Sequence, residues 1–305
     1  MMDGLINILK PPGMTSHDVV NWVRRLTGIK KAGHTGTLDP AAAGVLLLCV
    51  GRATRVIEYL PDDKQYRAEI TFGVKTDTGD SFGEIIYTNN VTDLTPSRLE
   101  NELLGFLGEI EQVPPMTSAV RHQGVKLYEL ARRGVVVKRK PRRATIHELR
   151  MVKWSGAAGR LPTAIFDVSC SAGTYIRTLC ADIGDRLGCG AHMSFLLRTR
   201  AGAFAIDRSY TLEELACFVR NGRTERVVTG LDDMLLNMPA VLVRESAMES
   251  VRSGAQLYPP GVEYAPEGLL PGQVVRLKSP TELMAIAAVH CVEDRIFFKP
   301  VKVLV

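Results

Sequence analysis

Asp39 closes a loop that packs two glycines, a histidine and two hydroxyls into eight residues, Gly33-His34-Thr35-Gly36-Thr37-Leu38-Asp39-Pro40. An apolar wall, Ala41 to Val50, stands directly behind it. The arrangement suggests a carboxylate presented from a rigid floor. An aspartate before proline is equally an ordinary turn or helix-cap residue. Arg177 follows Gly173-Thr174-Tyr175-Ile176 at a second turn, where an arginine serves as an active-site cation or as a surface ion pair. The pattern of residue types leaves both alternatives open. Six histidines (17, 34, 122, 147, 192, 290) and six cysteines (49, 170, 180, 189, 217, 291) show no C-x-x-C pair and no H-x-x-x-H spacing. We therefore expect no metal site and no cofactor, catalysis by side chains alone, and reduced, mostly buried thiols.

Charge points to a partner. The chain has 305 residues and a net charge of +5, yet ten Lys or Arg stand against two acids between Arg121 and Arg150. Concentrated cationic charge is the usual footprint of phosphate-backbone binding, and Arg121, Lys126, Arg139, Lys140, Arg142 and Arg143 are the candidate contacts. A solvated basic face with no ligand is the bland alternative. Hydrophobic residues at 46% and charged residues at 23% exclude disorder and fibrous repeats. The longest apolar run, Ala41 to Val50, falls short of the roughly 20 residues a membrane helix needs, so no membrane span is expected. The N-terminus carries neither a basic n-region nor a long apolar core, and the expected compartment is the cytoplasm.

The elements that must position these residues follow from periodicity. Ser16 as N-cap, with Val19, Val20, Val23 and Leu26 at helical spacing, predicts a helix over 16–27. Tyr66, Ala68, Ile70 and Phe72 alternate with polar residues, predicting a strand with one buried face and Tyr66 at its start. Thr95-Pro96 opens a helix, 144–154 and 163–170 read as strands, and the second of these turns at 171–174 into a helix through Arg186. Thr211-Leu212-Glu213-Glu214 reads as a capping box, and Ser246-Ala247-Met248-Glu249 as another. After about residue 237, prolines and glycines separate short β-like runs at 273–278, 283–289 and 295–305, which predicts a small β-barrel module.

Several blocks together resemble the TruB family of pseudouridine synthases: Lys10 to Val20; Gly33 to Pro40 with Ala42, Gly44-Val45-Leu46 and Gly51-Arg52-Ala53-Thr54; Lys64-Gln65-Tyr66; Val113 to Ala119 with Gly124, Leu127-Tyr128-Glu129 and Ala131-Arg132; Ser171 to Leu179; and Leu197-Arg198. The resemblance implies an α+β fold. A catalytic domain with a mixed, largely antiparallel sheet would span 1–237, carrying a basic RNA-clasping insertion at about 120–150. A PUA-like RNA-binding β-barrel module would span 238–305. The implied reaction detaches a uracil from its ribose at N1, turns it and rejoins it through C5, without a cofactor. Asp39 then matches the nucleophile, with attack at C6, attack at C1′ or removal of a sugar proton left open, and Arg177 its partner. Tyr66 lies against the target base. Tyr175 and Leu197 match positions lining the uracil pocket, and His34 the residue that wedges beside the extruded nucleotide. Lys10 is expected to be structural or a general phosphate contact, without a catalytic role. The implied substrate is the T stem-loop of tRNA at position 55, handled by a monomer without an obligate protein partner. A guide-RNA-dependent relative, a tRNA-folding chaperone and a hydrolase using Asp39 are the alternatives.

Overall fold

The computed structural model describes residues 2–156, 161–293 and 295–305. Its first strand, β1 (Gly4–Lys10), is almost wholly buried and leads into α1 (Ser16–Thr27), which ends at Gly28 in the left-handed conformation (φ 72°). The N-cap is Thr15, not Ser16: Thr15 and Asp18 exchange side-chain and backbone hydrogen bonds in a capping box. Ser16 is drawn inward instead. Next come β2 (Ala32–His34), β3 (Ala43–Val50), β4 (Lys64–Phe72) and the hairpin of β5 (Val74–Thr76) and β6 (Ile85–Thr88). Thr95 caps α2 (Pro96–Leu104), as its sequence predicts, and β7 (Gly108–Gln112) follows.

The insertion begins after β7. It holds the small hairpin β8 (Arg121–His122) and β9 (Val125–Lys126), and α3 (Leu127–Arg132). It ends sooner than the charge run does, because β10 (Arg142–Ser155) already pairs with β7 at Arg142 and Arg143. Then come β11 (Thr163–Cys170), α4 (Ile176–Arg186), β12 (Ala191–Ala201), β13 (Phe204–Ala205) and α5 (Leu212–Arg220), the last opened by the Thr211–Glu214 capping box.

These strands form one mixed sheet in the order β1-β3-β12-β4-β11-β10-β7, with β2 on β3 and β13 on β12. All pairings are antiparallel except β3 with β12, the junction at which Leu197 and Arg198 meet Ala43 and Gly44. Helices α2 and α4 cover the β4–β11–β12 part of one face, burying Leu99, Leu103, Leu179 and Ile183 against Ile70, Phe72 and Phe166. Helices α1 and α5 cover β1 and β3 with Val19, Val20, Val23 and Leu215. Burial of such side chains contributes about 1.5–3 kcal/mol each.

A second sheet follows, β14 (Ala240–Val243), β15 (Val262–Tyr264), β16 (Val274–Lys278), β17 (Leu283–Val292) and β18 (Arg295–Val303), in the order β15-β14-β16-β17-β18. It curls into a half-barrel, with Leu257 bridging to Phe298 at its far edge. Between β14 and β15 lies α6 (Glu245–Arg252), whose N-cap is Arg244 without a side-chain bond. Ser246 therefore sits inside the helix, and the second capping box read from the sequence does not form. Leu283, Ile286 and Leu304 pack onto Leu5, Val45 and Leu47, joining the two sheets, and Arg276 reaches Asp232 on the segment between them at 2.6 Å.

Candidate active site

Three restraints fix the loop that carries Asp39. The buried Ser16 hydroxyl accepts from the Leu38 amide (2.8 Å) and donates to the Leu38 carbonyl (3.1 Å), pinning the residue before Asp39. Lys10 is fully buried, and its ammonium donates to the carbonyls of Pro11 (2.9 Å), Pro40 (3.2 Å) and Ala42 (2.7 Å), strapping the loop downstream. Lys10 is thus a structural strap, as its sequence context suggests. Arg198, 1% exposed, donates through Nε to Val45 O (2.6 Å) and through its terminal nitrogens to Gly36 O (3.1 Å) and Thr37 O (3.4 Å). The backbones meet closely here. Gly44 has φ of +114°, and a Cβ on it would stand 2.2 Å from Arg198 O, so only glycine fits.

Arg177 enters from the first turn of α4 and grips Asp39 side-on, Nε to Oδ2 at 3.0 Å and Nη2 to Oδ1 at 3.3 Å. Such two-point pairs fix orientation as well as charge. The guanidinium is itself saturated by Thr78 O (3.1 Å), Thr117 O (3.1 Å), the Thr117 hydroxyl and the Asp80 carboxylate at 3.6 Å. Arg177 is 6% exposed whereas Asp39 is 32% exposed, so the pair presents the carboxylate outward from a closed cationic base. Burial pushes the Asp39 carboxyl above its usual range; Arg177 opposes this and Asp80 adds to it. Burial thus outweighs the paired Arg177 cation, although Arg177 holds the carboxylate in place as a partner should.

Tyr66 lies on the buried face of β4, directly opposite Arg198 in the β4–β12 register. Burial raises its phenol, with the Arg198 guanidinium pulling it down, and it stays neutral. Leu197 is half-buried beside Ala43 on the neighbouring strand. Tyr175 caps α4, its amide and carbonyl both bonded to the buried Gln112 side chain (2.9 and 3.2 Å). His34 ends β2 on the same loop as Asp39, half-buried, with Nδ1 buried and unpartnered. Burial, then Arg198 and His17, push its pKa down, which keeps the ring neutral near pH 7.

The basic residues divide into two groups. Arg121, Lys140, Arg142 and Arg143 are exposed, Arg143 reaching Glu109 at 3.4 Å. Arg139 instead turns inward onto Pro114 O (3.1 Å), and Lys126 lies over the Tyr128 ring. Four participants carried no role in the sequence analysis: Asp80, Thr117, Gln112 and Arg198. Arg198 and Thr117 stand in the family-like blocks, but nothing in their spacing announces a contact with residues 60 to 162 positions away. The thiols take no part: Cys49, Cys170, Cys180 and Cys189 are buried, and burial raises Cys49 to about 12 and Cys170 to about 11.

Residues 24–176 match the TruB family pseudouridylate synthase (N terminal domain), 177–243 the tRNA pseudouridylate synthase B C-terminal domain, and 239–296 the PUA domain. The chain belongs to the TruB family of pseudouridine synthases. A tRNA pseudouridine synthase B from Pelotomaculum thermopropionicum is 51% identical over 99% of this chain and 97% of its own. Another, from Symbiobacterium thermophilum, is 58% identical over 70% of this chain and 72% of its own. The solved Cbf5-Nop10-Gar1 complex contains a chain similar at TM-score 0.75 and 30% identity, covering all of this chain and 85% of that one. The block from Lys10 to Val20 precedes the matched N-terminal domain, yet it lies within the full-length TruB similarity.

Proposed function

We propose that this chain converts uridine 55 in the T-loop of tRNA to pseudouridine, with Asp39 as nucleophile and no cofactor. The observation that carries the reading is the outward-facing Asp39 carboxylate held two-point by a buried Arg177, with Tyr66 buried on β4 within reach of the Asp39 charge. The names of the relatives, tRNA pseudouridine synthase B, support the substrate class. The target base leaves its stack, at a cost of a few kcal/mol. His34 fills the vacated place while Tyr66, Tyr175 and Leu197 hold the uracil. Stacking on an aromatic face supplies about 1–3 kcal/mol per base. Asp39 forms a bond to the substrate, the N1–C1′ bond breaks, the uracil turns, the C5–C1′ bond forms and the Asp39 carboxylate is released, while C5 loses its proton and N1 takes one up. Atoms and electrons balance as an isomerisation.

The catalytic unit on this reading is 1–237, with 238–305 a PUA-like RNA-binding module, and the protein works in the cytoplasm as a monomer without a protein partner. The Cbf5-Nop10-Gar1 likeness favours a second reading, a guide-dependent enzyme, but at much lower identity than the bacterial relatives. One experiment separates them. The purified protein is incubated with an unmodified tRNA transcript, without guide RNA or added cofactor, and pseudouridine is mapped chemically. A single product at the T-loop uridine is expected; tight binding with no product would sink the stand-alone reading. Asp39→Asn should lower turnover by about a thousandfold or more while tRNA affinity stays within about tenfold.

A further inference from the structure

Gln112 and Thr117 each hold a residue that the proposed isomerisation uses. Gln112 ends β7, 2% exposed, and turns both of its polar groups on Tyr175: Oε1 accepts from the Tyr175 amide (2.9 Å) and Nε2 donates to the Tyr175 carbonyl (3.2 Å). Tyr175 is the N-cap of α4 and makes no side-chain capping bond there, so the backbone that carries its ring is fixed from β7. Five residues further on, Thr117 holds Arg177 itself. Its carbonyl accepts from Nη2 at 3.1 Å, and its hydroxyl accepts from Nη1. Pro114 and Pro115 stand between the two and restrict the backbone, so a displacement at one end is felt at the other.

The same short segment anchors the basic insertion. Ser118 O accepts from the Tyr128 amide (3.1 Å) and Val120 O from the Leu127 amide (2.8 Å), which ties down the first turn of α3. Leu127 is 1% exposed. On the returning leg, Arg139 Nη1 donates to Pro114 O (3.1 Å). Residues 112–120 are thus bonded to the start of α4 through Gln112 and Thr117, and to the insertion through Pro114, Ser118 and Val120. A chain of buried hydrogen bonds on a stiff segment is a physical route by which the two ends can bias each other.

Building on the isomerase reading, we infer that Gln112 and Thr117 are positioning residues for the reaction. Gln112 sets Tyr175 toward the uracil, and Thr117 sets the guanidinium that holds Asp39. The insertion's grip on RNA and the geometry of the site are linked through the segment that carries both.

The test uses the full chain and an unmodified T stem-loop hairpin under single-turnover conditions. Gln112→Met, close in volume but without a donor, should lower the rate by about tenfold, the worth of two neutral hydrogen bonds, while hairpin affinity stays within about threefold. Thr117→Val should lower it by about fivefold and Thr117→Ser should restore it to within about twofold, because the hydroxyl carries the contact. In a Tyr175→Leu background the loss from Gln112→Met should shrink to under about threefold, since a residue that acts through the Tyr175 ring has nothing left to act on. Hydrogen exchange read by mass spectrometry needs no turnover. Hairpin binding should slow exchange over 112–118 and 171–179 together in the wild type, and over 112–118 alone in Gln112→Met. An undiminished rate in Gln112→Met, a loss that is fully additive with Tyr175→Leu, or a response at 171–179 that is equal in both proteins overturns the inference. Affinity that falls as far as the rate does so too, by making the segment an RNA contact. A wild-type chain that binds the hairpin without converting it counts against the isomerase reading alone, and the exchange data still decide whether the segment links insertion and site.

Discussion

Asp39 sits in two opposed fields. Burial favours its neutral acid, Arg177 favours its carboxylate, and the balance lies above the ordinary aspartate range. On the proposed reading Asp39 is a nucleophile, active only when ionised, so activity is retained above that raised value and lost as pH falls through it. The acid limb of kcat/KM should therefore lie above the model-peptide aspartate value of about 3.9. Replacing Arg177 by Gln removes the opposing cation, and the limb should move further toward neutral pH while kcat falls. A limb that stays put or moves to lower pH would contradict the pairing. The pairing of Asp39 with Arg177 is legible through the blocks that resemble a family, whereas the residue types of the two loops leave an ordinary turn and a surface ion pair open. The groups that saturate Arg177 are not legible, because Asp80 and Thr117 are brought to it by folding alone.

Elements were more legible than their ends. Long periodic stretches gave α1, β4, α2, α4 and α5, whereas β2, β8 and β9 are two or three residues long and leave no period to read. At the start of α1 two adjacent hydroxyls compete for the cap. Thr15 takes it because Ser16 is claimed by Leu38, 22 residues away. That tertiary bond makes Ser16 testable. Ser16→Ala leaves the Leu38 amide buried without a partner, which costs about 1–3 kcal/mol. For a chain of this size the melting temperature should drop by several degrees, about 2–4 °C per kcal/mol. Turnover should fall with it, since the residue before Asp39 loses its anchor; calorimetry and single-turnover assays check both. An unchanged melting temperature would show that the Leu38 amide finds another acceptor. Gly44→Ala is harsher: the added methyl would stand 2.2 Å from Arg198 O at φ of +114°, and β3 cannot then approach β12. Soluble yield and the melting transition should both collapse in that variant.

Across the whole molecule, charge is divided between the sheet junction and the exposed basic residues of the insertion. Asp232 serves the junction. Burial alone would raise it, but Lys278 and Arg276 outweigh that and hold it below its usual range. A depressed carboxylate stabilises above its unfolded value, and the contribution is lost as pH falls through the folded one. The junction should therefore loosen below about pH 4, and Asp232→Asn should abolish that part of the acid sensitivity in thermal unfolding. The cations of the insertion face the substrate on the proposed reading, and the structure divides what the sequence lumped together. Lys140, Arg142 and Arg143 are exposed, the last in a surface pair with Glu109 that contributes little. Arg139 turns inward to Pro114, on the segment whose Thr117 holds Arg177. Replacing Lys140, Arg142 and Arg143 together by Gln should cut the slope of log affinity against log salt by about 0.7–0.9 for every phosphate that is no longer neutralised. The melting temperature should hold. Arg139→Gln should do the reverse, leaving the slope nearly intact while lowering both stability and turnover. Filter binding of tRNA from about 50 to 200 mM salt covers the range in which such variants separate. If the triple variant keeps the wild-type slope, the insertion does not grip the backbone, and RNA affinity must come from elsewhere on the molecule.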